Sequence, residues 1–310
     1  MKSEEQINRD SLCLKLKEFI DKERIIENAS MSKYTSFRTG GNADAMIIVE
    51  NPSELKEVLC LLTTEAVPHI LLGNGSNILI KDGGYRGIVI KLGEAFNSVQ
   101  VKGDRITAYA GARISAAAKE AMEYGLSGME FASGIPGSVG GGVFMNAGAY
   151  GGEIKDIIVS VRAISRDGAR EYEISKEDMR LGYRYSTFQD SGDIIISADF
   201  QLKAGEKSAI AAQMKELMDR RNQKQPVNLP SAGSFFKRPE GYFAGKLIQD
   251  SGLKGLSVGG AQVSPLHAGF IVNNGGATAT DILRLMKLIQ NTVFDKFGVR
   301  LEPEVRILGD

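Results

Sequence analysis

The stretch FASGIPGSVGGGVFMNAGAYGG, Phe131–Gly152, constrains this chain more than any other. It carries Gly134, Gly137, Gly140, Gly141, Gly142, Gly148, Gly151 and Gly152 and no charged side chain. Glycine costs backbone entropy on folding, so such density implies a backbone that approaches something closely or takes positive φ. A flexible linker is the alternative, but linkers do not usually carry Phe131, Ile135, Val139, Val143, Phe144 and Met145. Ser133, Ser138, Asn146 and Tyr150 supply hydrogen-bonding groups without charge. Such a surface suits a flat ligand or a diphosphate.

The rest of the composition narrows the field by exclusion. At 310 residues the chain is long enough for two or three domains. Lysines plus arginines number 38 and acids number 38, so bulk electrostatics recommend neither nucleic acid nor a membrane surface as partner. Cys13 and Cys60 sit in apolar, helix-like surroundings and read as reduced core thiols. Two histidines and two separated cysteines make no metal cluster. A charged start without an apolar signal segment, and no long apolar run, point to a cytoplasmic protein.

Periodicity divides the chain into four parts. Residues 1–30 hold an amphipathic helix over 4–27, with Leu12, Leu16, Phe19 and Ile20 on its apolar stripe. Residues 31–95 contain a strand at 45–49, a helix from Pro52 to Leu62 with Ser53 as its cap, and closely spaced strands at 70–72, 78–81 and 87–90. Residues 96–204 begin with a hairpin turned by Gly103-Asp104. An alanine-rich helix over 112–124 follows, then strands at 157–166, 169–174 and 193–202. Residues 205–310 hold helices at 207–222, 241–251 and 280–297 and strands at 260–263, 269–272 and 300–307. The order lacks regular strand–helix alternation, so the fold class is α+β.

Four segments could carry chemistry. Gly73, Asn74, Gly75, Ser76 and Asn77 follow a strand, and read either as a nest for a diphosphate or as a tight β-turn. This is no Rossmann fingerprint, because Ile78 stands where the third glycine belongs and a strand follows. In PSAGSFFKRP, Phe235 and Phe236 would bury one side of a loop and leave Ser234 beside Lys237 and Arg238, poised as a general acid; a plain loop with a basic rim is the alternative. In LGYRYSTF, Arg184 between Tyr183 and Tyr185 stacks or grips a carboxylate. In LEPEVRIL, Glu302 and Glu304 fall on one face of a strand, with Glu304 the one drawn inward; structural ion pairs are the alternative for these last two segments.

Together TSFRTGGNAD, LGNGSNILI, GIPGSVGG with NAGAYG, GYRYSTF, AGSFFKRP and EPEVR resemble, in order and spacing, the UDP-N-acetylenolpyruvoylglucosamine reductase family. The resemblance implies a two-part FAD-binding fold of the vanillyl-alcohol-oxidase (PCMH) type over 31–95 and 96–204, with a substrate-binding domain over 205–310. It implies non-covalent FAD, NADPH as co-substrate and a UDP-sugar substrate. By the same resemblance Ser234 matches the proton donor, and Arg184 and Glu304 match the other two catalytic residues. FAD would be held by Gly73, Asn74, Gly75, Ser76, Asn77, Ser133, Gly134, Ile135, Pro136, Gly137, Ser138, Gly140, Gly141, Asn146, Gly148, Ala149 and Tyr150. Arg221 and Lys224, with Lys237 and Arg238, would meet substrate anions. Arg238 in place of the asparagine of the longer branch, and the short region after Phe188, indicate the shorter (type II) branch. Another FAD oxidoreductase on the same fold, or a flavin-binding module without catalysis, is the competing reading. A covalent flavin would need a His or Cys in the flavin-facing motifs, which have neither.

Overall fold

The computed structural model of the protein describes residues 12–310. The chain divides into two compact units, each assembled from three separated segments. One takes Met1–Ala29, Asp44–Gly73 and Gly87–Met218; the other takes Ser30–Ala43, Asn74–Arg86 and Asp219–Asp310. This differs from the contiguous blocks expected from the sequence.

The first unit is built on two sheets. The four-stranded sheet has the order Ile25–Ser30, Asn42–Val49, Tyr85–Leu92, His69–Leu72, and its last two strands are parallel. Helix Pro52–Thr64 covers it because Leu55, Val58, Leu59 and Leu62 recur at helical spacing and are all buried. They pack with Ile47, Val49, Ile88 and Ile90 into one core, which also takes Leu12, Leu16 and Ile20. The five-stranded sheet is antiparallel throughout, in the order Glu171–Ser175, Ile158–Ile164, Ile194–Gln201, Arg105–Tyr109, Val99–Lys102. Helices Ile114–Glu123 and Val139–Phe144 bury Ala117, Ala118, Ala121, Val139 and Val143 in the core formed with Ile106, Ala108, Val161, Ala198 and Phe200.

Three expectations for this unit are corrected. The helix expected over 4–27 is present only at residues 12–16 of its described part, and Ile25–Ser30 is a strand. The apolar pair Ile25-Ile26 begins it, and β-branched residues favour a pleated surface; residues 4–11 lie outside the described ones. The cap of helix Pro52–Thr64 is Asn51, whose side chain accepts from Glu54 N at 2.9 Å; Pro52 then takes the first helical position, where a missing N–H costs nothing. Cys60 lies on that helix but on its exposed side, so only Cys13 is a core thiol.

Arg24 ties this helix to the chain before the first strand. Its guanidinium donates to both carboxylate oxygens of Glu54, at 2.6 and 3.1 Å, and Glu50 N donates to the same carboxylate at 2.9 Å. The Arg24 hydrogen bond holds the Glu54 carboxyl below its usual range, against burial, which pushes it up. A carboxylate whose pKa is lowered on folding stabilises above its unfolded pKa, and that contribution is lost as pH falls through the folded value. Arg24→Met is therefore expected to cost about 1 kcal/mol at neutral pH. The gap from wild type should close below about pH 4. Thermal melts of both proteins across pH check it; a gap that stays constant into acid contradicts the assignment.

The second unit centres on an antiparallel sheet in the order Ser231–Ser234, Phe270–Asn273, Ala261–Val263, Ser257–Val258. Helix Ala279–Phe297 packs Ile282, Leu285, Ile289 and Val293 into a core with Phe235, Phe236, Val263 and Ile271. A Thr278–Asp281 capping box starts this helix, and Gly298, at φ 69°, ends it. Asp82 adds a second anchor at its start, accepting from Ala279 N and Thr280 N, both at 2.8 Å. Strands Ile78–Ile80 and Arg306–Leu308 pair in parallel. The strand expected over 300–307 is thus confined to its end. Pro303 has no N–H to donate, and residues 301–305 run as an irregular segment with one bridge, Phe236 to Pro303.

Candidate functional site

In the first unit the glycine-rich stretch folds into parts that its composition concealed. Ser138 caps a short helix, Val139–Phe144, accepting from Gly141 N at 3.3 Å. Gly148–Ala149 and Gly152–Glu153 then form a hairpin whose two turn residues, Tyr150 and Gly151, have φ of 53° and 91°. Two positive φ values in a two-residue turn are the geometry of a type I′ hairpin. Several glycines answer to the protein's own packing rather than to a ligand. A Cβ on Gly140 would lie 2.9 Å from Ala110 Cβ, one on Gly142 would lie 2.2 Å from Ile114 Cδ1, and one on Gly152 would lie 2.7 Å from the Phe131 ring. Gly141 and Tyr150, by contrast, are exposed.

Asn146 is fully buried, with φ 40°. Its amide nitrogen donates to Glu153 Oε2 at 3.0 Å and to Gly182 O at 2.8 Å, and its oxygen accepts from Lys155 N at 2.9 Å. These bonds join the glycine-rich stretch to the arginine loop at Gly182. That loop closes by reciprocal hydrogen bonds between Gly182 and Tyr185, with Arg184 in the left-handed region at φ 55°. The Arg184 guanidinium lies over the Tyr183 ring at 5.0 Å and donates to Gly148 O at 3.4 Å. Stacking thus holds the arginine within its own loop, and the hydrogen bond to Gly148 O ties it to the hairpin that ends the glycine-rich stretch.

Gly73 belongs to the same unit, and a Cβ there would stand 2.5 Å from Ser138 Oγ. The start of the GNGSN segment and the glycine-rich stretch therefore meet. Lys91 donates to Gly73 O at 3.3 Å, and burial pushes its ammonium pKa down. An uncharged glycine backbone, hydroxyl-bearing Ser138 and a nearby cation fit a dinucleotide cofactor with a diphosphate.

In the second unit Ser234 ends its strand on a bulge: Ser231 pairs with Val272 and Ser234 with Phe270, three steps on one strand against two on the other. Gly233 supplies the positive φ of 78° that such a kink asks for. Ser234 is exposed, whereas Phe235 and Phe236 are buried, their rings 5.2 Å apart, with Phe37 edge-on to Phe235 at 6.2 Å. The expectation that the phenylalanine pair anchors the serine loop holds. Backbone hydrogen bonds then lay residues 302–304 alongside: Glu304 N donates to Phe235 O at 2.8 Å and Lys237 N to Glu302 O at 2.9 Å. Asn77 of the GNGSN segment donates to Glu304 O at 3.2 Å, so that loop, Ser234 and Glu304 converge.

The two glutamates part company here. Glu302 is exposed and 3.4 Å from Lys237, while Glu304 is half-buried, and the segment that carries them is not a strand. Lys237 thus has a carboxylate partner, and Arg238 lies 4.0 Å over the Phe243 ring. Arg221 and Lys224 stand in the last turn of helix Lys207–Lys224, where cations also complement the helix dipole. His267 accepts from Gly269 N at 3.0 Å and is a turn-forming residue, its pKa lowered by burial. Among the described residues no group of three His, Cys, Asp or Glu could hold a metal, and no helix is long and apolar enough to cross a membrane. Sequence reasoning assigned no role to Gln189, whose amide bridges Phe144 O and Arg184 O; nothing in its neighbours distinguishes it from a solvated glutamine.

Fold and site define an FAD-dependent oxidoreductase: residues 43–171 match the FAD binding domain family. Residues 225–308 match the UDP-N-acetylenolpyruvoylglucosamine reductase, C-terminal domain, family. The UDP-N-acetylenolpyruvoylglucosamine reductase of Clostridioides difficile (strain 630) is 49% identical over 304 residues, covering 98% of this chain and all of that one. Its counterpart in Alkaliphilus oremlandii is 48% identical over 295 residues, 95% of this chain and 97% of that one. The crystal structure of the Thermus caldophilus reductase superimposes with a TM-score of 0.80 at 36% identity, covering 91% of this chain and 98% of that one. The chain belongs to the UDP-N-acetylenolpyruvoylglucosamine reductase family.

Proposed function

We propose that the protein reduces UDP-N-acetylenolpyruvoylglucosamine to UDP-N-acetylmuramate, a step of peptidoglycan precursor synthesis, with NADPH as reductant and in the cytoplasm. FAD, which the GNGSN segment and the glycine-rich stretch would hold, would supply the hydride chemistry that links NADPH to the methylene carbon of the enolpyruvyl group. Hydride addition loads negative charge onto the neighbouring carbon and its carboxylate, and the residues of this chain answer that charge. Arg184, with its planar guanidinium, is assigned to the carboxylate, to which such a group can donate twice. Glu304 is assigned to steadying the enol, and Ser234 to delivering the proton that completes the reaction. FAD contacts are assigned to the GNGSN segment and the glycine-rich stretch, and substrate anions to Arg221, Lys224, Lys237 and Arg238.

The observation that supports this reading best is the placement of Ser234. It stands exposed on a glycine-assisted bulge, beside a segment that brings Glu304 to the next residue's carbonyl. The test is optical. Protein loaded with FAD should lose its visible flavin band on anaerobic addition of NADPH and regain it when the enolpyruvyl substrate is added, with UDP-N-acetylmuramate as product. A band that bleaches but does not return with this substrate would sink the reading.

A further inference from the structure

Arg184 sits in an unusual backbone conformation that something must hold. Left-handed φ is uncommon for a residue with a long side chain and costs on the order of 1 kcal/mol or more. Side-chain amides fasten two of the turn's carbonyls. At Gly182, the carbonyl accepts from the buried Asn146 amide at 2.8 Å. At Arg184 itself, the carbonyl accepts from Gln189 Nε2 at 2.9 Å. The same Gln189 nitrogen donates to Phe144 O, also at 2.9 Å, and lies 3.8 Å from Met145 Sδ. Ser186 Oγ donates to Phe144 O at 2.7 Å, so the arginine loop is stitched to the end of helix Val139–Phe144.

We propose that Gln189 is a positioning residue for the reductase reaction: its carboxamide bridges the Arg184 and Phe144 carbonyls and holds Arg184 in the left-handed turn against the glycine-rich stretch. The inference rests on the reading that Arg184 meets the substrate carboxylate. Its chemistry is specific. Two carbonyl acceptors facing one side chain need two N–H bonds on one nitrogen, which a primary amide or an ammonium supplies. A carboxylate there would set oxygen against oxygen, and a thioether of similar length would leave both carbonyls without this donor. Because a small displacement of a substrate-gripping group is costly, losing the bridge should appear in the step that uses Arg184 and not in flavin reduction.

The test compares Gln189→Met, Gln189→Lys and Arg184→Ala with wild type in anaerobic stopped-flow, following flavin reduction by NADPH and flavin reoxidation by the enolpyruvyl substrate separately. Gln189→Met is expected to slow reoxidation by about ten- to a hundredfold, with reduction and FAD affinity within about twofold of wild type. Gln189→Lys, which restores donors, should recover most of that loss. Equal slowing of both half-reactions in Gln189→Met, or no slowing in either, overturns the proposal, as does a Lys variant no better than Met. Arg184→Ala separates the two levels. If it slows reoxidation while Gln189→Met does not, the clamp falls and the reading of Arg184 stands; if Arg184→Ala reoxidises at the wild-type rate, both fall.

Discussion

Ser234→Ala is expected to leave flavin reduction by NADPH intact and to slow flavin reoxidation by the enolpyruvyl substrate by about 10²–10⁴-fold, the ordinary worth of a positioned general acid. The separation of the two effects follows from where the hydroxyl stands. Ser234 is exposed at the end of its strand, and its bulge is fixed by backbone pairing and by Gly233, so removing one oxygen leaves the frame in place. Stability should stay within about 0.5 kcal/mol of wild type, as for other surface changes. Ser234→Cys keeps a proton at the same position and is expected to fall between the two. Stopped-flow of each half-reaction decides: a collapse of the NADPH step in Ser234→Ala would mean that the serine shapes the flavin site instead.

Phe235→Ala is expected to be the most damaging single truncation near the site. The ring is fully buried, edge-on to Phe37 and tilted on Phe236, and removing such a side chain costs about 3–5 kcal/mol. The same residue's backbone accepts from Glu304 N and donates to Gly269 O, both at 2.8 Å. Collapse around the cavity would therefore move Ser234 and Glu304 together. Phe235→Leu, closer in volume, should retain most of the stability, and activity should follow it in parallel. Thermal melts with reoxidation rates measured well below the transition test the link. An Ala variant with a wild-type melt would show that this cluster is not what secures the serine loop.

What the sequence made legible was mostly local. Phe235-Phe236 announced a buried anchor because two adjacent large apolar residues beside polar ones rarely both face water, and the structure buries both. The class α+β followed from irregular strand–helix order. Long-range pairing was hidden. Nothing in ILI at residues 78–80 says that its partner is RIL at 306–308, and that pairing places Asn74–Arg86 in the second unit. The glycine-rich stretch was legible as a close approach but not as to what. At Gly140, Gly142 and Gly152 the close neighbours are Ala110, Ile114 and Phe131, which only the folded chain brings there. Asn146 and Gln189 were opaque for a related reason: an amide looks alike in sequence whether it faces a ligand, a carbonyl or water.

The parallel pairing of Ile78–Ile80 with Arg306–Leu308 also sets a timetable for the newborn protein. Arg306 N donates to Asn77 O, and Asn77 in turn holds Glu304, so the GNGSN loop takes its final form only after residues 304–308 have left the ribosome. At about 5–20 residues per second, strand Ile78–Ile80 waits roughly ten to fifty seconds for its partner. During that interval Leu79 and Ile80, fully buried in the finished protein, stand as an unpaired apolar edge. The loop is thus completed late, once the C-terminal strand is available to pair, and the edge it leaves open until then is one the finished fold buries.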